Sequence, residues 1–279
     1  MREKRGYIPS RLALWAALAI TVAFVSFPLY WMLLSSLMPD VELFSRSPRF
    51  FINNPTFVHY LDLINRTNFT IYFFNSFVVA TLATAGAIFL GVLAGYGLTR
   101  FRFFGRRALS NAVLFTYMFP PILLSIPLFV LLKDIGLSNS LLGLACAHIS
   151  FALPMAMWLA TIFFQAIPLE LDEAAMIDGA SRLGALFRVV LPVASPGVVA
   201  TAVFIFVISW NDYLFALVLI ADETKKTLPV GVAGFVDATS VEWGLLMAGG
   251  VLILLPILIA FSFVQRALIE GLTAGAVKG

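Results

Sequence analysis

Residues 67–99, between Arg66 and Arg100, read TNFTIYFFNSFVVATLATAGAIFLGVLAGYGLT, without one formally charged side chain. A helix needs roughly 20 apolar residues to cross a hydrocarbon core of roughly 30 Å. The apolar part of this stretch is best placed at 73–99. A helix satisfies all its backbone groups internally, which lipid demands of any segment that crosses it. This segment therefore reads as a membrane span.

The same test finds five more spans on either side. The first fills 12–34, between Arg11 and Asp40, and its Pro28 predicts a kink or a break. The third covers 108–132, bounded by Arg107 and Lys133, with Pro120, Pro121 and Pro127 interrupting it. The fourth is centred on 141–165. The fifth occupies 197–221 and contains Asp212, and the sixth fills 243–265, between Glu242 and Arg266. The fold class expected is an all-α membrane protein with six transmembrane helices. Residues 1–11 form a cytoplasmic N-terminus, 35–70 an external loop, 71–265 the transmembrane core and 266–279 a cytoplasmic tail.

Composition agrees. Of 279 residues 61% are hydrophobic and 12% charged, whereas a soluble domain carries about 25% charged residues. Too few solvated groups remain to cover a water-facing surface. The net charge of +3 does not imply nucleic acid, because the basic residues lie between apolar runs rather than in one patch. The single cysteine, Cys146, excludes an internal disulfide framework. His59 and His148 are too few for a histidine/thiolate metal cluster. There is no glycine-rich phosphate loop ending in Lys-Ser or Lys-Thr, so the chain is not expected to bind ATP itself.

Lysines and arginines set the orientation. With the N-terminus inside, the cytoplasmic segments hold Arg2, Lys4, Arg5, Arg11, Arg100, Arg102, Arg106, Arg107, Arg182, Arg188, Arg266 and Lys278. The outer side holds Arg46, Arg49, Arg66, Lys133, Lys225 and Lys226, half as many. Both termini are expected in the cytoplasm. The basic start is followed by an apolar run longer than the about 7–15 residues of a signal peptide, so the first span is read as uncleaved.

The cytoplasmic loop 166–195 is the most informative. It contains Ile167-Pro168-Leu169-Glu170-Leu171-Asp172-Glu173-Ala174-Ala175-Met176-Ile177-Asp178-Gly179-Ala180-Ser181. Pro168 suits the first turn of a helix. Glu170, Asp172 and Glu173 complement the helix dipole. Gly179 is placed for a left-handed C-cap, and Ser181 for capping a second short helix ending at Leu191-Pro192. The first helix, about 11 residues and ~16 Å long, is too short to span a bilayer. Its two-alanine face permits close approach, and Glu173 offers a carboxylate to an arginine, so it is shaped to dock on a partner. A solvated connector with ordinary caps would also fit these residues.

The string EAAMIDGAS, with Phe187, Leu191-Pro192 and Pro196-Gly197, resembles the EAA loop of ABC-importer membrane subunits. Tyr96-Gly97-Leu98-Thr99-Arg100-Phe101, Phe151-Ala152-Leu153-Pro154, Trp210-Asn211-Asp212-Tyr213-Leu214 and the tail from Gly271 to Gly279 are similar to the maltose-type carbohydrate branch. The resemblance implies a type I ABC-importer permease fold in the bacterial inner membrane. It implies a coupling helix in which Glu170, Glu173, Ala174, Ala175, Met176, Asp178, Gly179 and Ala180 meet an ATPase. The partners it implies are a second, homologous permease in a heterodimer, two ATP-binding subunits carrying ATP and Mg, and an external solute-binding protein. The tail is expected to reach towards the ATPase. Sugars, polyols and glycerol phosphates are the solute classes, and the sequence does not choose among them.

Asp212 is the only carboxylate within a span. With Trp210, Asn211 and Tyr213 it forms either part of the solute pathway or a packing and helix-cap cluster at the interface with the second permease. His148 has no carboxylate near it in sequence and reads as a core or interface residue rather than a proton relay. An ion-gradient-driven transporter is the alternative, though such folds usually carry midplane carboxylates in internal repeats.

Overall fold

The computed structural model describes residues 11–45, 50–52, 54–236 and 241–276. The helices are α1 (Arg11–Ser36), α2 (Asp40–Leu43), α3 (Val58–Arg66), α4 (Phe69–Arg100), α5 (Arg106–Thr116), α6 (Pro121–Asp134) and α7 (Leu141–Gln165). They continue as α8 (Leu169–Ile177), α9 (Arg182–Ala185), α10 (Leu191–Trp210), α11 (Leu214–Leu219), α12 (Leu228–Ala233) and α13 (Trp243–Ala276). Five helical segments are long and apolar enough to cross a membrane, α9 to α10 counted as one, and α5 with α6, a pair bent by 99°, makes a sixth if the two are one span. The basic residues at 2, 4, 5, 46 and 49 lie outside the described residues, as do the side chains of the tail from 266 onward.

The chain divides into two compact units. The first comprises 1–67 and 235–252, the second 68–234 and 253–279. In the first, α1 runs through Pro28 without a break. The segment after α1 contains two regular helices, α2 and α3. Buried His59 anchors them, with Nε2 2.8 Å from the carbonyl oxygen of Met38 and 3.8 Å from Asp40 Oδ1. Ser36 and Tyr60 share a hydrogen bond of 2.7 Å.

In the second unit, α4 and α7 pack through small residues. A Cβ on Gly91 would lie 2.6 Å from Ala156 Cβ, and one on Gly95 would lie 2.8 Å from Ala160 Cβ. With Ala87 and Ala152 these form two stripes at four-residue spacing, which lets the backbones approach closely where no water drives association.

Two spans depart from the sequence expectation. The third is not one helix over 108–132. Pro120 and Pro121 remove consecutive amide donors and force the bend, while Pro127 is accommodated inside α6. The fifth begins well before 197. The short helix expected to stop at Leu191-Pro192 instead runs on into α10, because residues 186–190 form a π turn. There the Leu191 amide donates to the carbonyl of Leu186, five residues back, and the widened turn makes room for a proline ring that would otherwise strike the preceding turn. The fifth span ends at Trp210, not at 221, and α11 is a separate short helix.

Between α6 and α7, Asn139 adopts a left-handed conformation, φ 50°. Its Oδ1 accepts the amides of Ala221 and Asp222 at 3.1 and 3.0 Å. Asn75 Nδ2 donates to the carbonyls of Thr224 and Lys226, each at 2.9 Å. Hydrogen bonds from Lys226 and then Tyr72 hold the Glu223 carboxyl below the usual carboxylate range. The segment after α11 is thus pinned at both ends.

Candidate functional site

Helix α8 is defined by its ends. Pro168 sits at the N-cap in extended geometry, φ −56° and ψ 141°. At the other end Gly179 N donates to Met176 O at 3.1 Å and Ala180 N to Ala175 O at 3.0 Å. Together with φ +88° at Gly179, this is a Schellman cap. Nothing lies within 4 Å of a Cβ built on Gly179, so any cost of substitution there is backbone strain alone. Gly179→Val is expected to cost about 1–2 kcal/mol of local helix stability, and Gly179→Asn less. Hydrogen exchange of the Ala175–Ala180 amides checks this, and equal protection in both variants would contradict it. Ser181 Oγ accepts the Gly184 amide at 3.1 Å and starts α9.

The helix has two faces. Glu170, Glu173, Ala174 and Ile177 fall at i, i+3, i+4 and i+7, and all are exposed, Ile177 at 85%. Asp172 lies on the opposite face and is buried. Ala175, Met176 and Ala180 are half-buried beside it, and Asp178 and Gly179 are exposed at the cap. The eight residues read from sequence therefore do not form one surface. Glu170 and Glu173 share the open stripe, whereas Met176 and Ala180 are turned partly inward.

Asp172 is held by the spans. Tyr96 OH donates to its Oδ1 at 2.8 Å, and Arg100 Nε donates to its Oδ2 at 3.0 Å. Arg100 Nη2 also lies 3.0 Å from that oxygen, with each side chain only 6% exposed. The remaining guanidinium donors go to the end of α7: Nη1 to the Phe164 carbonyl and Nη2 to the Ile167 carbonyl, both at 3.1 Å. The Phe164 carbonyl sits in the last turn of α7, where it also accepts the Ile167 amide at 3.2 Å, and the Ile167 carbonyl lies just past that helix. One arginine thus joins the end of α4, the end of α7 and the start of α8. Around it pack Val92, Phe164, Ile167 and Leu186, and the Arg182 guanidinium stacks 5.0 Å over Phe101.

Sequence reasoning missed this joint. Arg100 was counted as an orientation charge and Asp172 as a dipole complement. Helical spacing held the signal, because Asp172 is out of phase with Glu170 and Glu173 and in phase with Met176.

The second cluster is also divided. Trp210 is fully buried, and its Nε1 donates to the Ile253 carbonyl at 3.2 Å. Asn211 and Tyr213 are exposed. Asp212 caps α11, its Oδ2 accepting the Ala216 amide at 3.1 Å and its Oδ1 the Phe215 amide at 3.5 Å. Its Oδ2 is also 3.2 Å from His148 Nε2. His148 therefore has a carboxylate neighbour, 64 positions away in sequence, that only the fold supplies. Among the described residues no group of three His, Cys, Asp or Glu side chains could hold a metal ion.

With five to six candidate spans and a short capped helix between α7 and α9, the chain can be set beside known proteins. Residues 87–273 match the family described as the binding-protein-dependent transport system inner membrane component. The chain belongs to that family. The inner membrane ABC transporter permease protein YcjP of Escherichia coli K12 is 36% identical over 272 residues, 97% of each chain. The trehalose transport system permease protein SugB of Mycobacterium tuberculosis is also 36% identical, over 96% of this chain and 98% of its own. A crystal structure of a bacterial ABC transporter involved in the import of alginate superposes with a TM-score of 0.79 at 21% identity. It covers 91% of this chain and 95% of its own. This inner-membrane component therefore has the ABC-importer permease fold, and the joint at Arg100 and the α8 stripe both fall inside the matched residues.

Proposed function

We propose that the chain is one of two permease subunits of an ATP-driven importer for a sugar or related solute. In this reading α8 is the coupling helix, on the cytoplasmic side with both termini. The observation that carries the reading is the two-faced mounting of α8. One face is fastened to the ends of α4 and α7 by a buried ion pair, and the other presents Glu170, Glu173, Ala174 and Ile177 to a partner. A partner that moves α8 would move the spans with it, because the joint has no slack of its own.

Separate ATPase subunits would bind ATP and Mg, and their closure would draw the coupling helices of two homologous permeases together. The spans would then open outward to receive solute from an external binding protein, and hydrolysis would reset them. A relative named for trehalose transport supports the sugar class. The solute within that class is set by chemistry outside this helix.

Ile177→Asp tests the docking face without touching the joint. An isoleucine buried against a partner contributes about 1.5–3 kcal/mol, so the ATPase should bind at least about tenfold more weakly. The two permeases should still co-purify, and uptake should follow the amount of ATPase retained. Undiminished ATPase retention in this variant would exclude the stripe as the docking face. Uptake that proceeds without the ATPase but stops with a protonophore would favour an ion-driven transporter instead.

A further inference from the structure

We propose that His148 is a positioning residue for the solute path, fixing the helix break after α10 so that Asn211 and Tyr213 face outward. The inference rests on reading those two residues as part of the pathway. His148 is 1% exposed and lies eight residues into α7, about 10 Å from its outer end at 1.5 Å per residue. One imidazole touches both sides of the break. Its Nδ1 is 2.6 Å from Ser209 Oγ, in the last turn of α10. Its Nε2 is 3.2 Å from Asp212 Oδ2, inside the break. The second contact is a close approach rather than an aligned hydrogen bond, and that nitrogen is buried. Phe151 and Phe215 enclose the ring, with centroids at 5.5 and 6.3 Å, and stack on each other at 5.3 Å.

The break itself is tightly specified. The Asn211 amide donates to the Val207 carbonyl and the Asp212 amide to the Ser209 carbonyl, at 3.1 and 3.3 Å. Along it the side chains alternate: Trp210 inward, Asn211 outward, Asp212 towards His148, Tyr213 outward. A shift of one residue would bury Asn211 and expose Trp210. Packing alone would end a helix here with apolar residues. A buried polar trio is costly unless its geometry is kept, so it enforces one register over the alternatives. The groups left facing outward are the phenol of Tyr213, which can stack on the face of a sugar ring, and the amide of Asn211. The Asn211 Nδ2 donates to the Val207 carbonyl at 2.8 Å, and its side-chain oxygen can accept from a hydroxyl.

The test uses the whole importer with its ATPase and binding protein, reconstituted in proteoliposomes. On a Cys146→Ala background, Tyr213→Cys reports the break by its rate of labelling with a membrane-impermeant maleimide. His148→Asn keeps a group near Ser209 but cannot reach Asp212, whereas His148→Gln can reach it. The Asn variant should change the labelling rate about tenfold, and the Gln variant should stay near the parent rate. With Tyr213 intact, solute imported per ATP hydrolysed should fall about tenfold in His148→Asn and recover in His148→Gln, while ATPase stimulation is unchanged. Asp212→Asn should add no further loss to His148→Asn. Equal labelling in the Asn and Gln variants, no labelling of the parent, or additive losses would overturn the proposal. Altered labelling with unaltered solute per ATP would keep the clamp but sink the pathway reading of Asn211 and Tyr213.

Discussion

Arg100→Ala is expected to destabilise the chain by about 3–5 kcal/mol, because it leaves the Asp172 carboxylate buried without its cation. The same change takes a donor from the Phe164 and Ile167 carbonyls around the end of α7. Asp172→Ala should cost a similar amount by leaving the guanidinium unpaired, with Tyr96 OH also losing its nearer acceptor. Arg100→Lys keeps a charge but not the planar fork that reaches three acceptors, so it should fall between wild type and alanine. The double change Arg100→Met with Asp172→Leu separates stability from coupling. Apolar replacement of a buried pair is often neutral for stability, so the double variant should recover much of the abundance of the wild type. It should not recover stimulation of the ATPase, since α8 would then be held to the spans by apolar contacts that can slide. Thermal unfolding of the solubilised complex and ATPase rates with the loaded binding protein are the two measurements. An Arg100→Ala complex with unchanged Tm and unchanged stimulation would remove the joint from the mechanism.

Glu173→Lys is expected to abolish uptake while the permeases still assemble. Glu173 is exposed, and among the described residues no ion pair holds it, so the fold should lose little. The effect belongs to the docked state. A carboxylate facing a cationic group of the partner becomes a like-charge contact, which costs several kcal/mol when desolvated. The ATPase should either dissociate or hydrolyse ATP without moving solute. Glu170→Lys, on the same stripe but at the Pro168 end, serves as a comparison for charge reversal alone. Co-purification of the ATPase with uptake of labelled solute decides the matter, and wild-type uptake by Glu173→Lys would end the assignment of α8 to coupling.

Both predictions bear on neighbours in one short helix, Asp172 through its partner Arg100 and Glu173 directly, yet they were not equally legible. Glu173, Ala174 and Ala175 stood out through local composition, capping signals and resemblance, all of which act within a few residues. Gly179 was legible for the same reason, since a left-handed cap is a property of one residue and the turn before it. Ile177 and Asp172 were readable only after the helix had been divided by periodicity into an outer and an inner face. Arg100 could not be assigned from its surroundings at all, because its acceptors lie 64 to 72 positions further along the chain.

The spans show the same contrast. Lipid tolerates no unpaired backbone, so the apolar stretches alone determined that the chain is helical, that it crosses a membrane, and where four of the spans run. Two prolines in series marked a disturbance in the third span. Only the tertiary structure decided that it is a sharp bend, and that a proline at 192 is absorbed by a π turn rather than ending a helix. What α8 is fastened to, and which carboxylate faces His148, depended on side chains brought together from distant segments. Local rules place charges, caps and apolar runs along a chain. Pairing buried charges is a matter of three-dimensional distance, and the sequence by itself does not contain it in readable form.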